Sequence, residues 1–279
     1  MLSIVFAFFI SYVLHAKDVF GPPTRPAQTQ WTAVDGAFDR KPVSFHAADN
    51  VMLRGWLYPA SLPGSTYVIF FYGSNEDLVH EQRRLQWLSQ ELHVNAICFD
   101  YRGYGFSEGA VSPALMRNDV LSEYDYVVKE LAGPQSRVVS YGWSVGSQFA
   151  IHLARERAVA ALTLQAPPAS AEEMSQWSSH HDVPRLARGF VHVAPDDAVR
   201  EIYQGAAEIR GVKAPLLVIQ GERDDVVPIE QGREVFAACP SENKRFLVVP
   251  NVHHNDVPFT KPPAGEAVAK MLATMDEAY

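Results

Sequence analysis

Cysteine is scarce: Cys98 and Cys239 are the only two in 279 residues. Two thiols build no disulfide framework, and these two form no C-x-x-C metal pattern. Runs of basic residues are absent and the net charge is −8. That excludes nucleic acid as a partner, and anionic lipid bound through a charged patch. The spacing G-x-G-x-x-G is missing, and Gly103-Tyr104-Gly105 does not supply it. No dinucleotide cofactor is therefore implied. Neither is a metal: His180-His181-Asp182 and His253-His254-Asn255-Asp256 are tight clusters without helical H-x-x-x-H spacing. Adjacent histidines on a loop rarely point at one ion.

The chain is also short of long apolar runs. Met1 to Leu14 is almost wholly apolar, but a membrane-spanning helix takes about 20 such residues. The stretch matches the apolar region of a secretory signal peptide better, with Leu14-His15-Ala16 as a poor cleavage site and no basic n-region. The expectation is a signal peptide or membrane anchor over 1–16, hence export or membrane association through this segment. The alternative is an N-terminal helix packed on the body of a cytoplasmic protein. Gly21-Pro22-Pro23-Thr24-Arg25-Pro26 breaks any helix, so 17–42 reads as a linker.

From Val43 onward the pattern alternates. Val43–His46 and Val51–Tyr58 read as a hairpin. Tyr67–Tyr72, Asn95–Asp100, the segment ending at Trp143, Ala161–Gln165, Pro215–Gln220 and Arg245–Val249 are short apolar runs, the signature of strands buried on both faces. Helical periodicity separates them over about 77–92, 112–131, 148–154, 229–238 and 265–275. Strands alternating with helices predict a single domain over 43–279 with a mainly parallel sheet and helices on both faces. Pro167 to Lys213 interrupts the alternation with weak periodicity. An insertion of this kind is expected to lie over the site as a small cap.

Chemistry concentrates at Gly142-Trp143-Ser144-Val145-Gly146. Here G-x-S-x-G follows a strand and opens a helix, which forces the serine outward above the carboxyl edge of the sheet. A side chain at Gly142 or Gly146 would collide with the neighbouring strand or helix. A serine hydroxyl is a weak nucleophile and needs a base oriented by an acid. Two loops at carboxyl ends of strands offer them: Gly221–Pro228, with Asp224 and Asp225, and Pro250–Asp256, with His253 and His254. Chain order is then Ser, Asp, His.

These stretches, with Tyr72–Asp77 and Asp100-Tyr101-Arg102-Gly103-Tyr104-Gly105-Phe106-Ser107-Glu108-Gly109, resemble α/β-hydrolases of the serine type. The similarity is to the serine aminopeptidase-like, monoacylglycerol-lipase-like and depalmitoylase-like subgroup, and covers about 43–275. It implies the α/β-hydrolase fold, an eight-stranded sheet with a small cap insertion over about 167–213. It implies Ser144 as nucleophile, Asp224 as acid and His254 as base. The backbone N–H groups of Val145 and Ser74 would form the oxyanion hole. Relatives usually have His-Gly where this chain has Tyr72-Gly73. Asp100 precedes the nucleophile strand and is misplaced for a rival acid; it reads as a structural partner of Arg102.

The implied function is hydrolysis of a carboxylic ester, thioester or amide of a small-molecule acyl substrate, without cofactor. The alternative is an inactive α/β-hydrolase fold used for binding. A dehalogenase or epoxide hydrolase would carry Asp in place of Ser144. The cap mixes Met174, Trp177, Leu186, Phe190 and Val193 with polar residues, which reads as a modest pocket for short acyl groups. Glu172, Glu173, Asp182, Asp196 and Asp197 are candidates to receive a substrate amine.

Overall fold

The computed structural model describes residues 10–15, 19–20, 29–32, 39–62, 66–181 and 191–276. Ten strands run through them: β1 (Ile10–Leu14), β2 (Lys41–His46), β3 (Met52–Tyr58), β4 (Thr66–Phe71), β5 (Asn95–Phe99), β6 (Arg137–Trp143), β7 (Ala161–Gln165), β8 (Val191–Pro195), β9 (Leu216–Gly221) and β10 (Lys244–Val249). Eight of them make one sheet in the order β2-β3-β5-β4-β6-β7-β9-β10. The β2–β3 and β3–β5 pairs are antiparallel and the remaining five are parallel. Val, Ile, Leu and Phe fill the central strands because helices cover the sheet and water reaches neither face. Every residue of β7 and β9 is buried.

The helices that carry the sheet are α1 (Leu78–Glu91), α2 (Pro113–Tyr126), α3 (Gly146–Glu156), α6 (Ile229–Ala238) and α7 (Ala264–Asp276). Their starts are encoded locally. The Asp77 side chain accepts the Val79 and His80 N–H groups at the head of α1, and Pro113 opens α2 where no N–H is needed. The helix expected to 131 changes character instead: Val127–Leu131 continues α2 as a π turn.

Between β7 and β9 the chain builds the cap from α4 (Ala171–His181), β8 and α5 (Asp197–Ile202). Strand β1 pairs in parallel with β8, Ile10 opposite Val191 and Leu14 opposite Pro195. His15 Nδ1 sits 2.8 Å from Asp196 Oδ2 beside that pairing. The described part of the expected leader is thus a strand of the cap; residues 1–9 and 16–18 lie outside the described residues. No helix among the described residues is long and apolar enough to cross a membrane.

The expected linker over 17–42 is also packed where it is described. Val19 and Phe20 are buried, and the Phe20 ring meets Tyr101, Tyr104 and Phe149. Trp31 Nε1 donates to the Gly55 carbonyl, and Trp56 Nε1 donates to the Trp31 carbonyl. Apolar side chains in a Pro-rich stretch gain more from this burial than from solvent, although no periodicity announces it. Gly21 to Pro26 lies outside the described residues, as do Asp182, Leu186 and Phe190 in the cap.

Candidate active site

Ser144 follows β6 with φ at 54°, a left-handed backbone that side-chain-bearing residues rarely adopt. The turn is held by the Ser144 N–H on the Gln165 carbonyl at 2.8 Å. It is also held by lack of room. A Cβ at Gly142 would lie 2.4 Å from the Gly146 carbonyl oxygen, and one at Gly146 would lie 2.2 Å from that of Phe71. With both glycines present, α3 starts directly against the end of β4 and the serine is lifted clear of both.

His254 reaches Ser144 from the turn after β10. Its Nε2 lies 3.1 Å from Ser144 Oγ, and its Nδ1 lies 3.0 and 2.9 Å from the two carboxylate oxygens of Asp224. A carboxylate has no proton to give, so Nδ1 carries the hydrogen and Nε2 presents a lone pair to the hydroxyl. All three residues are buried. Asp224 is itself fixed by the Val226 and Val227 N–H groups on Oδ1 and by Gln220 Nε2 on Oδ2 at 2.9 Å. The acid and base loops are tied together: Glu222 donates its N–H to the Val249 carbonyl and Arg223 to that of Val252. His253 points the other way, half-exposed and 3.4 Å from Asp225. The Trp143 ring lies 5.9 Å from that of His254, centroid to centroid.

Val145 is the first residue before α3, where the N–H groups lack carbonyls one turn back. Gly73 passes over Ser144, with room for a Cβ only at 3.4 Å from the serine Cβ. The Gly73-Ser74 segment and Val145 therefore both lie next to Ser144. The structure brings Ser144, His254 and Asp224 into one hydrogen-bonded line and sets the Val145 and Ser74 segments beside it.

Arg102 is not the partner of Asp100. It binds Asp119 through Nε and Nη2 at 2.6 Å each, and Asp49 through Nη1 at 2.8 Å. Asp100 turns inward instead, because Gly105 leaves no Cβ to block it; one there would stand 1.9 Å from Asp100 Oδ2. Most cap carboxylates proposed for a substrate amine are engaged within the protein. Glu172 and Asp197 bind Arg200, and Asp196 binds His15 and caps Val199. Glu173 lies beside Glu234; burial first, then that second carboxyl, raises it to about 7. Trp177 Nε1 donates to the Asp225 carbonyl, joining α4 to the acid loop. The sequence reading does not single out Gln220, and it places Trp177 in the cap pocket rather than against the acid loop. The only signal for Gln220 is one amide at the end of an otherwise apolar strand.

The sequence profile described as "alpha/beta hydrolase fold" matches residues 61–194. The uncharacterized protein Rv2307c of Mycobacterium tuberculosis is 30% identical over 208 residues, covering 75% of this chain and 70% of that one. Protein bem46 of Schizosaccharomyces pombe is 27% identical over 222 residues, 77% of this chain and 70% of its own. Among solved structures, the Pyrococcus furiosus esterase Pf2001 superposes with a TM-score of 0.73 at 19% identity, covering 91% of this chain and 97% of the esterase.

Proposed function

The chain belongs to the α/β-hydrolase superfamily, and on that premise we propose that it is a serine hydrolase acting through an acyl-enzyme. The observation that carries this reading is the unbroken line from Ser144 Oγ to His254 Nε2 and from His254 Nδ1 to Asp224. His254 removes the hydroxyl proton as Oγ attacks the substrate carbonyl carbon. The carbonyl oxygen takes the electron pair and is stabilised by the Val145 and Ser74 N–H groups. Collapse of this intermediate expels the alcohol, thiol or amine, which leaves with the proton from His254. Water then enters, loses a proton to His254, and releases the acid and free Ser144. Asp224 stays ionised and stabilises the imidazolium at each step. Each oxyanion donor is worth on the order of 10²–10³-fold in rate.

The substrate class is a short or medium acyl ester or thioester. Among the described residues the cap has no broad apolar helix, since α4 has 11 residues and α5 has 6, and an oil-facing lid needs a wide apolar face. The engagement of Glu172, Asp196 and Asp197 by internal partners favours an acyl pocket over one built for an amine. The Pyrococcus protein's description as an esterase agrees with this. Treatment of the purified protein with a fluorophosphonate tests the reading. Stoichiometric labelling of Ser144 is expected, and no label on folded protein would overturn it in favour of a non-catalytic binding role. p-Nitrophenyl esters of rising chain length then test the pocket: activity should peak at short chains.

A further inference from the structure

Tyr72 stands where the family resemblance leads one to expect histidine, and Asp100 is a fully buried carboxyl with no part in the chemistry above. The two meet. The Tyr72 hydroxyl donates to Asp100 Oδ1 at 3.2 Å and accepts the Tyr101 N–H at 3.0 Å. The Tyr101 hydroxyl donates to the Tyr72 carbonyl at 2.8 Å. Asp100 Oδ1 also accepts the Leu78 N–H at 3.0 Å, and Oδ2 accepts that of Phe106 at 2.8 Å. Tyr72 is the residue before Gly73-Ser74, and Leu78 is the first residue of α1. One carboxylate therefore grips both ends of the loop that carries the Ser74 N–H.

We propose that Asp100 is a positioning residue for the oxyanion loop, holding Gly73-Ser74 over Ser144 through the Tyr72 hydroxyl and the Leu78 N–H. The inference rests on the serine-hydrolase reading. It gives Tyr72 a role that a histidine at the same place would fill differently, because a phenol buried here stays protonated and always has a hydrogen to donate. Burial pushes the Tyr72 hydroxyl well above its usual range.

The grip depends on charge. Every group bonded to Asp100 is a donor, so the ionised form satisfies all of them. A protonated carboxyl carries a hydrogen of its own that meets only donors here, and it accepts the other bonds more weakly. Burial raises Asp100 to about 7, against the opposing pull of the Phe106 and Leu78 N–H groups. The ionisable groups around it are Tyr72 on the loop, Asp77 at the head of α1, Cys98 and Tyr101 about β5, and Glu81 and Glu123 farther off. Arg54 on β3 faces the loop after β5 and is held there by the Phe106 carbonyl and Glu108. Arg102 is held by Asp49 and Asp119. Neither of these cations takes over the carboxylate, and its protonation loosens the loop near neutral pH.

The test is the ratio of wild-type to Asp100→Asn kcat on a short p-nitrophenyl ester between pH 5.5 and 8.5. The triad is the same in both proteins, so its own pH dependence divides out. The ratio should be about tenfold at pH 8.5 and fall toward one at pH 5.5, with a midpoint near neutrality and little change in KM. Tyr72→Phe should show a smaller ratio with the same pH trend, and serves if Asp100→Asn does not fold. A ratio that stays constant with pH in both variants would overturn the inference and leave the hydrolase reading standing. A wild type without turnover and without fluorophosphonate label would overturn both.

Discussion

At Ser144 the backbone carries a cost. A left-handed φ at a residue with a side chain is unfavourable by roughly 1–3 kcal/mol and persists only where surrounding structure enforces it. Ser144→Ala keeps that backbone and removes only the hydroxyl. It should lose on the order of 10³-fold or more in turnover with an unchanged circular dichroism spectrum. Turnover at near wild-type rates would exclude Ser144 as nucleophile. Ser144→Gly should be equally inactive yet no less stable than Ser144→Ala in thermal melts. Elsewhere glycine costs roughly 0.5–1 kcal/mol relative to alanine, so the comparison isolates the strain. The adjacent histidines separate in the same assay. His254→Gln should match the loss at Ser144, because the link to Asp224 at 2.9 Å disappears with it. His253→Gln should be mild, since its ring is half-exposed beside Asp225.

Elements were legible where one rule dominated. Buried strands are written as short apolar runs, and α6 lies over Ile229–Ala238, the range its periodicity predicts. The order of the Ser, Asp and His loops followed from the same alternation. The choice of His254 over His253 came from resemblance, and a loop has no period that would have supplied it. The Tyr72–Asp100 contact was hidden because it depends on a close approach through Gly105, which spacing does not encode. The place of β1 in the cap was hidden for another reason: β1 and β8 are stable only as a pair, and a lone apolar run has the composition of a leader. Packing of elements gives a prediction of its own. Gly146→Ala should destabilise the protein by roughly 1–3 kcal/mol in denaturant titrations, as α3 is pushed from β4. Gly133→Ala, where the nearest atom to a new Cβ is 3.9 Å away, should stay within about 0.5 kcal/mol.

Over the whole molecule, buried carboxyls pull stability in opposite directions with pH. Asp100 binds its proton more tightly folded than unfolded. Its contribution is complete below an unfolded value of about 4 and is lost as pH rises through about 7. Glu208 is the reverse. Burial raises it, but the nearby His152 and the hydrogen-bonded Arg117 together outweigh burial and hold it at about 2. Its contribution is present above an unfolded value of about 4.5 and fades as pH falls toward 2. Thermal melts should therefore peak in mild acid. Asp100→Asn should flatten the decline between pH 5 and 8, and Glu208→Gln the decline below pH 4.5. The pairing of β1 with β8 bears on a different process, the birth of the chain on the ribosome. His15 and Asp196 are separated by 181 positions, which takes roughly 10–40 s to synthesise at about 5–20 residues per second. Throughout that interval the nascent chain exposes an apolar strand whose mate does not yet exist. Assembly of the cap is thus a late event by construction, and a chaperone holding the emerging N-terminal segment has its opportunity in that window.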